Sequence, residues 1–468
     1  MRRTAIHPLP VALCAALAAC AGPHVESAQV APVVPPTEWR VDTAQSGLVE
    51  PAWWQAFGDP VMTGLVERAL AGNPDIAIAA ARVRDARAQE MAARAALLPT
   101  LDATGASAQS RSVNAFGKPA EQTAAQPQLQ VAWEVDLFGR LSDQASAARS
   151  AWFASEAARD AVHLSIASAV ASGYITLRAL DARLEVARAT LAAREQALSL
   201  IRRRTDAGYA SRLELAQAEA EYQSAAQIIP AIEQGIARQE NGLRVLAGDL
   251  PGEVGRGVGL TSLREPAIPE ALPSELLRRR PDVAQAEWQL AGADHALAAA
   301  RKRFLPQVRL SASAGAALST LLADPITIWS AGGSVLAPLF EGGRLRAGAE
   351  SAAAQRDAAA FTYRKAALNA FREVNDALVA TVRTDEQAAI LTAQRDALAR
   401  AYRHASARYA SGYSPYLEQL DAQRGLLAAE LALIQSQSDA LTARVALFQA
   451  LGGGWLPERA ATDPQNRK

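Results

Sequence analysis

Two cysteines, three methionines and 5% aromatic residues in 468 leave several kinds of protein with too little to be built from. Cys14 and Cys20 both fall in the N-terminal apolar stretch, so no disulfide framework runs through the rest of the chain. Five histidines are too few and too scattered for a metal centre. His7 and His24 precede any periodic pattern, and His163, His295 and His404 lack HExxH or other ligand spacing. The glycine-rich run 252–259, GEVGRGVG, has no Lys-Ser/Thr after it, which excludes a phosphate loop. No Ser/His/Asp spacing supports nucleophilic catalysis. Neither an enzyme nor a cofactor-binding protein is expected. Formal charge is zero, with 48 basic and 48 acidic side chains and no dense basic patch, so nucleic acid is not an expected partner. Proline is absent from 141–207 and from 345–411, and each segment holds one glycine, Gly173 and Gly348.

What is present is half hydrophobic, mainly through Ala, Leu and Val, a composition suited to close-packed helices. Arg2 and Arg3 precede the apolar stretch Val11 to Ala19, which is too short to span a bilayer as a mature helix. Residues 1–19 therefore read as an export signal. Leu17 to Cys20, LAAC, resembles a bacterial lipobox, which implies lipidation of Cys20. Residues 20–58, with VAPVVPP, read as an extended tether, and folded structure is expected from about Asp59.

An internal repeat organises the remainder. Asn73-Pro-Asp75 returns as Arg280-Pro-Asp282, Pro99 as Pro306, Arg140 as Arg344, Gly208 as Gly412 and Gly248 as Gly452. The first two pairs are offset by 207 residues and the others by 204, which puts the length change within a hairpin. The chain divides into repeat 1 (59–248), a connector (249–273), repeat 2 (274–455) and a tail (456–468).

Inside each repeat the period switches. Leu129, Val131, Trp133, Val135 and Leu137 alternate with Gln128, Gln130, Ala132, Glu134 and Asp136, the mark of a strand with one apolar face. Val308, Leu310, Ala312 and Ala314 do the same. Hairpins are expected at about 100–138 and 307–340, giving four strands per chain, with Trp133 and Trp329 suited to a lipid interface. After LFGRL (137–141) and LFEGGRL (339–345) the pattern turns helical, with helices at 141–207, 211–248, 345–411 and 414–451. A helix of the longer kind reaches roughly 100 Å. Leu417, Leu420, Leu427, Leu431, Ile434, Leu441, Val445 and Phe448 form a coiled-coil seam. Gly208 and Gly412 suit left-handed helix ends, Ser211 with Glu214 a capping box, and Ser414-Pro415 an N-cap followed by proline.

Four strands with one apolar face cannot close by themselves, and an open edge is not tolerated in lipid. Strands that enter a membrane must therefore be completed by other copies. Eight strands fill with side chains; twelve leave a lumen.

The segments WEVDLFGRL (133–141), LPSELLRRRPDVAQAE (272–287), GGSVLAPLFEGGRLRA (332–347), AFREVNDAL (370–378), YLEQLDAQR (416–424) and ALGGGW (450–455) resemble the outer-membrane efflux factor family, in its lipoprotein branch of TolC-like channels. The resemblance runs from about Cys20 to Trp455. It implies a mixed α and β membrane protein: a homotrimeric, twelve-stranded outer-membrane barrel continued by a helical periplasmic tunnel. It also implies a periplasmic adaptor (membrane fusion) protein and an inner-membrane RND-type transporter as partners, and small molecules or metals as cargo. Export of proteins by a type I system is an alternative, and a structural periplasmic coiled-coil lipoprotein is a second. The resemblance places Leu417, Asp421 and Arg424 at the channel constriction and Gly208, Ser211, Gly412 and Ser414 at hairpin tips where an adaptor docks. Spacing alone also permits a plain surface pair between Asp421 and Arg424.

Overall fold

The computed structural model describes residues 28, 31–41, 49–113, 115–268 and 273–455. The proposed lipidation site Cys20 lies outside them. Folded structure starts before Asp59: Trp53–Phe57 form a 3-10 turn whose Trp53, Trp54 and Phe57 are buried. Three rings in five residues carry enough apolar area to pull an otherwise irregular stretch into a core.

From there the elements run α1 (Pro60–Gly72), α2 (Pro74–Ala95), β1 (Thr100–Val113), β2 (Pro119–Val135), α3 (Arg140–Asp206), α4 (Arg212–Ala226) and α5 (Ile228–Leu246). A 3-10 turn at Leu260–Ser262 follows. Then come α6 (Pro273–Arg279), α7 (Pro281–Lys302), β3 (Gln307–Ser319), β4 (Ile326–Leu336), α8 (Arg344–Ala410) and α9 (Tyr416–Ala450). One helix was expected over 211–248; two are found, parted at Gln227. Pro230 explains the break, because it has no N–H for the carbonyl of Ala226 four residues earlier and its ring crowds that group.

The chain forms two compact units. Among the described residues, one comprises 28, 31–32, 81–113, 115–156 and 285–365; the other comprises 33–41, 49–80, 157–268, 273–284 and 366–455.

The first unit holds the sheet, an antiparallel meander in the order β1-β2-β3-β4. Its register fixes two faces. Trp133 pairs with Leu310, Val131 with Leu101 and Ala312, and Trp329 with Ala314, and these residues share one face. Gln130 pairs with Asp102 and Ser313, Glu134 with Arg309, and Ser313 with Ser330 on the opposite face. One side is thus suited to hydrocarbon and the other to water. Leu101, Leu129, Trp329 and Val335 are more than half exposed in the single chain, as a surface awaiting lipid would be. Among the described residues no helix is long and apolar enough to cross a membrane. Pro127 lies in a central strand where it cannot donate; the β2–β3 ladder skips it, and side-chain-free Gly315 packs against its carbonyl. Below the sheet, Phe153 meets Trp288 edge-on at 4.9 Å between ring centres, joining α3 to α7.

The second unit is built around a core to which both repeats contribute: Phe57, Met62, Leu65, Val170, Tyr174, Leu243, Leu441, Val445 and Phe448. Trp53 stacks on Phe448 at 5.3 Å. Asp59 is buried at the start of α1, where its carboxylate accepts from the amides of Val61, Met62 and Val258 and from the Tyr174 hydroxyl at 3.1 Å. Burial, helped by that carboxylate, pushes the Tyr174 hydroxyl up to about 12. In both repeats a glycine ends the second helix with its backbone pressed on another. Gly248 meets the carbonyl of Gly72 and Gly452 that of Arg279, where a side chain would collide.

Candidate functional site

The helical hairpins of the second unit end in two matching tips. Gly208 and Gly412 have φ of 76° and 78°, the left-handed conformation that glycine adopts without strain. At each, the amide of the next residue, Tyr209 or Tyr413, reaches back to a carbonyl five positions earlier, on Arg204 or Arg408. Both tyrosines are exposed beyond the turn. Ser211 and Glu214 form the expected capping box. Ser414 does not cap α9: Pro415 occupies the N-cap position without a side-chain hydrogen bond, and the Ser414 hydroxyl is buried and unpartnered. A proline preceding Tyr416 holds extended backbone, which shifts the helix start one residue beyond the expected place.

Just inside the tips the two repeats interlock. Leu198, Ile201 and Ala218 of repeat 1 pack with Tyr416 and Leu420 of repeat 2. Arg204 lies 5.5 Å over the Tyr409 ring, and Tyr409 is itself 5.5 Å from Tyr416. At the centre is a buried ion cluster that sequence reasoning missed. Glu221, 6% exposed, takes Arg194 on one side and Arg424 on the other. Arg194 also donates to the Glu221 carbonyl at 2.8 Å, and Arg424 Nε to the carboxylate at 2.9 Å. The hydrogen bond to Glu221 raises the Arg424 guanidinium further above its ordinary value. Burial raises the Tyr416 hydroxyl, with Glu221 adding to it. A signal was available: Ala187, Arg194, Leu198 and Ile201, and Leu215, Ala218, Glu221 and Ala225, place opposite charges inside two apolar stripes of 3/4 spacing.

Leu417 is 55% exposed while Leu420 is buried, so Leu417 leaves the seam to which its spacing assigned it. Asp421 is exposed and forms no ion pair among the described residues; Arg424 turns to Glu221 instead of to it. The plain surface pair is therefore not formed.

Along the chain, the long paired helices that end in these tips follow a sheet with two unpaired edges and one apolar face. A family model described as outer membrane efflux protein matches residues 65–249 and 272–453. The chain belongs to that family. It is 33% identical over 446 residues to the toluene efflux pump outer membrane protein TtgC of Pseudomonas putida, covering 93% of this chain and 90% of that one. Over 441 residues it is 34% identical to the pyoverdine export outer membrane protein OpmQ of Pseudomonas aeruginosa, covering 91% and 92%. Among solved structures, the open-state outer membrane channel MtrE of Neisseria gonorrhoeae aligns with a TM-score of 0.81 at 29% identity, over 92% of this chain and 99% of that one. The chain has the fold of these trimeric channels and is an outer-membrane efflux channel. The family match falls in two segments, one on each repeat.

Proposed function

We propose that this efflux channel is a passive exit duct for small molecules, with three copies closing a twelve-stranded barrel and docking to a periplasmic adaptor and an inner-membrane RND-type transporter. The sheet carries the reading: four strands, one apolar face and two unpaired edges demand other strands before they enter lipid. The duct performs no covalent step. The export roles in the names of TtgC and OpmQ, toluene and pyoverdine, favour small cargo over secreted polypeptides. An acylated Cys20 adds a second hold on the membrane, motivated by LAAC. Co-expression with its neighbouring pump and adaptor, in cells stripped of their own outer-membrane channel, should lower the accumulation of an organic dye. Omitting any one component should abolish the effect, and Cys20→Ser should lose palmitate label while keeping part of the activity. Unchanged dye levels beside a newly secreted polypeptide would overturn the cargo assignment.

Leu417 and Asp421 form the periplasmic aperture, repeated three times around the axis, and the tips with Gly208, Ser211, Gly412 and Ser414 are where the adaptor docks. Support comes from the exposure of Leu417 and Asp421 beside the buried Leu420. Arg424 works behind them as the tie to repeat 1 through Glu221. A ring of carboxylates favours cations, and opening is a movement of helices apart. Leu417→Ala with Asp421→Ala should raise single-channel conductance and weaken cation selectivity with trimers intact. Wild-type values of both would remove the aperture from these residues.

A further inference from the structure

Both long helices begin with an arginine, Arg140 of α3 and Arg344 of α8, at equivalent positions of the two repeats. A helix N-terminus is the positive end of the helix dipole, so a cation there is placed against local stability. The first unit shows what these two arginines join. With Arg303, Gln307, Arg309 and Glu341 they line a cavity of about 280 Å³ at the foot of the sheet. Glu134 accepts Arg140 at 2.5 Å and lies 3.6 Å from Arg309; Glu341 pairs with Arg344. Arg303 is exposed and has no carboxylate partner among the described residues. Four guanidinium groups against the two carboxylates paired with them, and Asp136 beside Arg140, leave the cavity positive, and the side chains of Arg309 and Arg344 are each more than half exposed.

The strand register says which way the cavity looks. Gln307 pairs with Leu336 and Arg309 with both Glu134 and Ser334, all on the polar face, opposite Leu310, Trp133 and Val335. In a closed barrel that face is the inside, so lipid is kept from it and water is not. The loop after β4 supplies Glu341, the start of α8 Arg344, the start of α3 Arg140, the turn after α7 Arg303, and the start of β3 Gln307 and Arg309. Donors therefore converge from two helix starts, one turn and one strand. Planar guanidinium forks with vacant N–H groups, converging on a wet cavity, recognise oxyanions.

We propose that this cavity is an anion-binding station inside the duct, one per chain, which takes the phosphate or carboxylate group of an anionic solute. The inference rests on the channel reading for the inward direction of the polar face. The probe is inorganic pyrophosphate, titrated into the full-length trimer in detergent and followed by phosphorus NMR line broadening. Wild type should bind it in a salt-sensitive way. Arg303→Gln with Arg309→Gln should weaken binding by about tenfold or more, as two charge-assisted partners are lost, while Arg303→Lys with Arg309→Lys should retain much of it. Equal broadening in wild type and the glutamine variant overturns the proposal. Repeating the titration in nanodiscs of phosphatidylcholine with or without phosphatidylglycerol separates the two sources of phosphate. Equal pyrophosphate binding in both supports the inward site, and competition by the anionic lipid overturns it in favour of a headgroup site. Conductance measured in parallel keeps the readings apart. Pyrophosphate binding in a trimer that never conducts would argue against the channel, whereas conduction without specific binding removes only the station.

Discussion

Asn73 and Arg280 stand at equivalent places in the two repeats and meet the same target with side chains of different length and charge. Asn73 Nδ2 donates to the carbonyl of Leu246 at 2.8 Å, and Arg280 Nη1 donates to that of Ala450 at 3.0 Å, each near the end of its repeat's last helix. Asn73 also caps α2 through the Asp75 amide, while Arg280 recruits Asp282 and Glu373. A second pair diverges further. Glu240 is buried and reaches Arg256, which in turn holds Asp181. Its counterpart Arg444 is buried as well, but pairs directly with Asp385, the counterpart of Asp181, and with Glu265. Backbone contacts such as those of Gly248 and Gly452 stay the same, because a left-handed turn pressed on a carbonyl accepts only glycine. Charge is exchanged across the duplication where every buried charge finds its opposite.

The sharpest contrast lies at the tips. Arg194 and Glu221 correspond to Leu398 and Gly425, which are again in contact, at 3.4 Å from the glycine's missing side chain. One repeat closes this spot with an ion cluster and the other with a leucine. Glu221→Ala should cost about 3–5 kcal/mol, because it strands Arg194 in a buried place. Adding Arg194→Leu, which approximates repeat 2, should return most of that loss, since Arg424 is 55% exposed and can turn to water. Thermal denaturation of the trimers is the measurement. A double variant no more stable than the single one would break the equivalence of the two sites.

A smaller effect is expected where the second helices differ. Pro230 corresponds to Ile434 of the unbroken α9. Pro230→Ala should restore a donor to the Ala226 carbonyl, slow amide exchange around Gln227 and stabilise the chain by about 1 kcal/mol. Unchanged exchange there would mean that packing, and not the proline, parts α4 from α5.

Features that depend on one stretch of chain are legible in the sequence. Alternation over Leu129 to Leu137 revealed a strand with two unlike faces, and the glycines at 208 and 412 marked sharp turns. Ser414 misled because serine before proline satisfies a local rule that the extended proline backbone overrides. Leu417 misled because 3/4 spacing finds a stripe without saying where a partner helix stops covering it. The Glu221 cluster was hidden for a different reason: its partners lie 27 and 203 residues away, and only the docking of the hairpins puts them in register. The basic cavity was hidden in the same way, its arginines being drawn from four places in the chain.

The open edges of the sheet have a genetic consequence. A barrel completed by three identical chains has no place for a faulty one, since a defective β1 or β4 edge leaves a seam that its neighbours cannot mend. If a variant with a ruined edge still joins assemblies and is made in equal amount with the intact chain, random mixing leaves only about one trimer in eight wholly intact. Alleles that damage the strand edges should therefore act as dominant poisons, while alleles that prevent the chain from folding at all should be recessive.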